Sequence, residues 1–126
     1  MRSFIFALIV LAVMLSVIAV VSKYSDTTVG DLLSRFDGIN QSIDAGDWTK
    51  AYSEGCEAGI KFEEYSRIYG LYLDHEHIDN ITTGIIRLKC HILAENKSLS
   101  KAELETVMFF VDEARHKDIP SLYNIF

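Results

Sequence analysis

Phe4 to Val21 is a run of 18 residues that only Ser16 interrupts in its apolar character. Flanked by Ser3 and Ser22, it spans as a helix roughly 30 Å at about 1.5 Å per residue, the hydrocarbon thickness of a bilayer. A helix satisfies its own backbone hydrogen bonds, so such a stretch can sit in lipid. Arg2 precedes it, Lys23 follows it, and Tyr24 stands where interfacial aromatics collect. The slight charge bias predicts a cytoplasmic amino terminus with the remainder of the chain outside the cell membrane. The competing reading is a cleaved signal peptide with Val17-Ile18-Ala19 as its processing site. The run exceeds the 7–15-residue core of about that length found in such peptides, which favours a retained single-pass anchor. It contains no cysteine, which removes a lipoprotein anchor. Ala12, Ser16 and Ala19 form a small-residue stripe, read here as ordinary content of a span rather than a helix-docking face.

The chain of 126 residues is one domain's worth, less once the anchor is set aside. The expected division is 1–23 as anchor and 24–126 as an extracytoplasmic domain. Without Arg2 and Lys23 there are ten basic residues against 18 acidic ones, a net charge of −8. That acidity, with no basic patch, argues against nucleic acid as a partner. An apolar content of 49% excludes a disordered chain, and two cysteines exclude a disulfide-dense scaffold.

Helix spacing recurs from Val29 onward and strand alternation is absent. Val29, Leu32, Phe36, Ile39 and Ile43 step by three or four. Ala45-Gly46 ends that helix and Asp47 caps the next. The second helix carries Trp48, Ala51, Tyr52, Phe62, Tyr65, Ile68, Tyr69 and Tyr72 and is expected to end near Leu73. Its Ala51-Gly55-Gly59 ribbon is expected to serve tight packing within the domain. The third reads Ile78, Ile81, Ile85, Leu88, Ile92, with a second line of Ile86, Cys90 and Leu93 that predicts the central helix of the domain. The fourth is predicted to start with a Ser100/Glu103 capping box stapled by Leu99 and Leu104. Its core stripe is Leu104, Val107, Met108, Val111 and Ala114, with Pro120 beyond its end. The tail residues Leu122, Tyr123, Ile125 and Phe126 are expected to fold back onto the core. The fold class is therefore all-α: an N-terminal transmembrane helix followed by a small up-and-down antiparallel helical bundle, with a hinge at 22–28.

Chemistry-bearing residues concentrate in Asp74-His75-Glu76-His77-Ile78-Asp79, at the turn between the second and third helices. His75, His77 and Asp79 are metal-ligand types, but adjacent helix residues diverge, so the whole cluster cannot ligate together. The alternative is that Asp74 caps the third helix and Glu76 suits its positive end. His91 and His116 are read as surface histidines. No nucleophile elbow or phosphate-binding glycine loop occurs, so neither catalytic residues nor a cofactor are expected. Phe109 falls off the core stripe among Glu105, Asp112 and Glu113, and with Asp74 and Glu76 it is a candidate partner contact. Cys56 and Cys90 come roughly level on successive helices, so a disulfide is open to them if their Cβ atoms face each other.

Gly46-Asp47-Trp48 with Ala51-Tyr52, Leu73-Asp74-His75-Glu76 with Ile78-Asp79, Arg87-Leu88, Ser98-Leu99 and Ala102-Glu103-Leu104 form a set of short motifs spread over nearly the whole chain. Placed after an amino-terminal anchor, they make the chain resemble the small bacterial membrane-anchored family called domain of unknown function 4363. The Asp74-His75 to Asp79 block is the most specific part. The chain departs from the pattern at Phe62 or Tyr69, where members often carry tryptophan, and paired cysteines are not a family feature. The resemblance implies a Gram-positive, often spore-forming source and an accessory role beside a multi-pass membrane protein. It supplies no reaction.

The expectation is thus a non-enzymatic accessory protein. It meets membrane lipid through residues 4–21 and presents an acidic bundle to a multi-pass membrane protein or to itself. The alternative is a metal or small-ligand sensor built on 74–79.

Overall fold

In the computed structural model the backbone is described for residues 1–125 and side chains for residues 1–115. The described chain is four helices without a strand: α1 (Arg2–Asp44), α2 (Trp48–Tyr69), α3 (His75–Leu93) and α4 (Lys97–Ile125). Each packs on its two neighbours, α1 against α2 and α4, and α3 against α2 and α4. The result is a four-helix up-and-down bundle with one long amino-terminal extension.

That extension is part of α1. No hinge forms at 22–28; the helix runs unbroken through it. Ser25 and Thr28 are buried there, and Thr28 Oγ1 returns a hydrogen bond to the Tyr24 carbonyl at 2.8 Å. That bond to the preceding turn satisfies the Thr28 hydroxyl within the helix, whereas Ser25 Oγ is buried without a hydrogen-bond partner among the described residues. Residues 2–17 are all exposed, and burial begins in earnest at Ser25. This one helix is long and apolar enough at its start to cross a membrane.

The core follows the helix periodicity. Val29, Leu32, Phe36, Ile39 and Ile43 of α1 meet Ala51, Ala58, Phe62 and Tyr69 of α2. Ile81, Ile85, Leu88 and Ile92 of α3 and Leu104, Val107, Val111 and Ala114 of α4 close the ring. α3 is not a central helix: Ile86, Cys90 and Leu93 face solvent. A four-membered ring gives every helix two neighbours and leaves each an outer face, and that line lies on it. The close approach in the bundle is at Gly84, where an added Cβ would stand 2.5 Å from a methyl of Val107. The Gly55-Gly59 ribbon is covered within the domain more loosely, by the Lys89 stem and Ile85.

Two of the three turns use one device. After α1, Gly46 takes φ 73°, its N–H bonds Ile43 at 3.0 Å and the Asp47 N–H bonds Ser42 at 2.9 Å. After α3, Glu95 takes φ 54°, its N–H bonds Ile92 at 2.9 Å and the Asn96 N–H bonds His91 at 3.1 Å. Both are Schellman closures, which satisfy the last carbonyls of a helix. The same Asp47 and Asn96 then cap the next helix, accepting from the backbone of Lys50 (3.1 Å) and Leu99 (3.0 Å).

The capping box expected at Ser100 and Glu103 is therefore replaced by Asn96, one turn earlier. Ser100 is buried inside the first turn of α4, and Glu103 pairs with Arg87 of α3 at 2.9 Å. α2 ends at Tyr69 rather than Leu73, with 70–74 forming the turn. Pro120 lies within α4, since a proline removes one N–H from the ladder and bends a helix without having to end it. The expected packing of Leu122, Tyr123, Ile125 and Phe126, and the position of the His116 ring, lie outside the described side chains.

Candidate partner-binding surface

Because α1 enters the bundle at Tyr24, the bundle has a near end, beside the apolar segment, and a far end. The near end is aromatic. Tyr24, Tyr65, Tyr69 and Tyr72 meet with ring centroids 6.0–6.4 Å apart. The Thr28 hydroxyl and the Tyr69 phenol share a buried hydrogen bond that ties α1 to α2. Tyr65 donates to the Asp31 carboxylate at 2.7 Å, and Arg35 holds the same carboxylate at 3.0 Å. These two donors lower the pKa of Asp31 against its desolvation. Burial first, then the bond to Asp31, raises Tyr65 to about 12; burial raises Tyr69 as well.

The 74–79 block forms the α2–α3 turn at this end but does not gather as a site. His75, Glu76 and Asp79 are exposed. His77 is 3% exposed and meets the edge of Phe110 at 6.3 Å. It belongs to the core stripe of α3, four residues before Ile81. Among the described residues no group of three or more His, Cys, Asp or Glu side chains is placed to hold a metal ion. Asp74 occupies the N-cap position of α3 with extended backbone, without a side-chain capping bond. The disulfide left open by the sequence is not made: Cys56 and Cys90 are free thiols. Cys90 faces outward on α3, while Cys56 lies beside Tyr52, whose pKa that neighbour raises.

Two grooves with apolar lining mark the bundle surface, apart from a polar one at the α1–α2 turn around Ser42, Asp47 and Glu54. One, between α2 and α3, runs over Gly59 and is bordered by Ile60, Ile86 and Cys56, with a volume of about 290 Å³. The other, between α1 and α4, is about 580 Å³. Leu33, Leu104 and Met108 floor it, Asp37, Glu105 and Asp112 rim it, and Phe109 stands at its edge, 61% exposed. Phe109 is thus where its off-stripe position puts it, and its ring lies 5.9 Å from that of Phe110. Asp74 and Glu76, the other candidate contacts, lie at the near end, away from this groove. Sequence reasoning missed the α1 half of the surface; the signal was the apolar Leu33 beside a core stripe that did not need it.

These features define a class: a small acidic four-helix bundle carried on a continuous apolar helix. Within that class the chain belongs to the family described as Domain of unknown function (DUF4363), whose model matches residues 19–125. No curated protein and no solved structure matches the chain.

Proposed function

We propose that this is a non-enzymatic, membrane-anchored accessory protein. Its apolar segment stays in the cytoplasmic membrane with the amino terminus inside, and its acidic bundle is presented outside to a membrane-protein partner. The observation that carries the reading is the unbroken α1: one helix is both the apolar span and a wall of the bundle core. A signal peptide has no need to share a helix with the mature core, because cleavage near Ala19 would leave a helix end hanging at Tyr24. An anchor that continues into the core instead fixes the height and orientation of the bundle over the bilayer.

The test is an amine-reactive crosslink in native membranes, followed by identification of what co-purifies with the full chain, together with protease treatment of intact protoplasts. The expected result is one discrete membrane-protein adduct and a protease-sensitive bundle. A mature chain beginning near Val20, or a bundle shielded from protease, would refute the anchored orientation. Absence of any adduct would refute the accessory role.

A further inference from the structure

We infer that the α1–α4 groove and the membrane segment below it form one continuous seam that receives a second helix: a partner's transmembrane span prolonged into a basic amphipathic helix. This deepens the accessory reading above and rests on it.

The seam is read along α1. Leu33 and Asp37 line the groove. Stepping back from them by sevens gives Asp26, Ala19 and Ala12 from the first, and Gly30, Lys23 and Ser16 from the second. The alternating three-and-four spacing of these positions is a heptad repeat on an unbroken helix. A straight α-helix drifts by roughly 20° per heptad, so such a stripe is followed by a helix crossing with left-handed twist.

Each stretch of the seam suits its depth. Inside the apolar segment it is small, Ala12, Ser16 and Ala19, which lets backbones approach in lipid. Ser16 already spends its hydroxyl on the Ala12 carbonyl at 2.8 Å, so nothing polar is stranded there. Above the membrane Gly30 is exposed, with open space where a side chain would stand. Beyond it the groove widens onto Leu33, Leu104 and Met108, with Phe109 projecting at its side.

Charge selects the occupant. Asp26 lies on the seam, and Asp37 and Glu105 rim the groove as carboxylates without a cationic partner among its described residues; Asp112 beside them is paired with Arg115. Among the described residues the basic side chains near it are committed: Arg115 bonds Asp112, and Lys101 bonds Asp44 at the far end at 2.5 Å. Lys23 sits at headgroup level, below the groove. An apolar floor between carboxylate rims suits a helix with a leucine-type face and lysine or arginine flanks. A second copy of this chain fits poorly, because it would set the same carboxylates against each other.

The test uses the full chain in zwitterionic nanodiscs with a fluorescent donor on the bundle. The probe is a synthetic peptide: a Leu/Ala span of about 20 residues running directly into a Leu/Lys helix of about 14, acceptor-labelled. A Leu/Glu version is the control. Energy transfer should appear with the Leu/Lys peptide alone and weaken about tenfold in Phe109→Ala and in Asp37→Lys. Gly30→Trp should abolish it without altering the circular dichroism or Tm, since open space surrounds that position. Ile86→Ala, in the other groove, should leave it unchanged.

Equal transfer from the Leu/Glu peptide would overturn the proposal. So would indifference to both Phe109→Ala and Gly30→Trp, or donor- and acceptor-labelled copies of the chain pairing without peptide in a way Gly30→Trp disrupts. If the native-membrane crosslink still yields a partner while these fail, the seam is misassigned and the accessory role stands. If neither appears, both fall.

Discussion

Glu95 holds a left-handed backbone, φ 54°, at the place where the first turn of the bundle uses Gly46. A Cβ in that region costs about 1–2 kcal/mol, which glycine avoids. Glu95→Gly should therefore raise the Tm by several degrees, read by thermal unfolding of the full chain in detergent. Gly84 is the opposite case. A methyl there would overlap Val107 on the facing helix. Gly84→Ala should lower stability by about 1–3 kcal/mol, the usual cost of overpacking, and Val107→Ala should partly rescue it. Asp31 gives a pH signature. Tyr65 and Arg35 keep its carboxylate ionised below the usual range. A depressed folded pKa contributes stability that is complete above the unfolded value near 3.9 and is lost as pH falls through the folded one. Asp31→Asn should thus be less stable than the parent at pH 7, and the two should converge when urea unfolding is repeated near pH 2.

At the scale of helices, legibility followed how many independent cues each element carried. The stripes of α1 and α4 were readable because Val29 to Ile43 and Leu104 to Ala114 keep a single apolar face. The end of α1 was readable because Gly46 and Asp47 each favour their position by intrinsic chemistry. The matching end of α3 was hidden, since glutamate is no signal for a left-handed backbone, and Ser100 offered a more familiar cap than Asn96. Ile86 and Leu93 suggested a buried second face only because spacing cannot distinguish an exposed apolar line from a core. His77 was misplaced for the converse reason: its residue type suggested a ligand, while its register, four before Ile81, put it inside. The α1–α2 contact also carries a pH dependence of its own. Tyr65, raised to about 12, and Tyr69, raised by burial, keep their protons above the pH at which an unfolded chain loses them. Stability from this pair is complete below about pH 10 and declines as pH rises through the folded values. Tyr69→Phe should cost about 1 kcal/mol at pH 7 through the lost Thr28 bond and flatten the alkaline limb of a Tm-against-pH curve.

For the whole molecule, the continuity of α1 becomes a statement about height. A flexible stalk would let an acidic bundle drift at any distance from the bilayer, and its surfaces would meet partners at random. With residues 4–21 in the bilayer, as proposed above, the unbroken helix to Asp44 would remove that freedom. From Lys23 to Asp44 it rises about 30 Å at about 1.5 Å per residue. The far turn at Gly46 should then stand about that distance above the headgroups, and the near turn at Leu71 should lie close to them. Energy transfer from a dye at position 46, in a chain with Cys56 and Cys90 replaced by serine, to acceptors in the outer leaflet should report a narrow distance distribution of that size. Inserting two glycines after Ser22 should broaden and shorten it while leaving the bundle's Tm nearly unchanged, since Tyr24, where packing on the core begins, follows the insertion. A parent chain already as broad as the insertion variant would mean that α1 bends at the membrane, and the seam running from Ala12 to Asp37 could not then act as one surface.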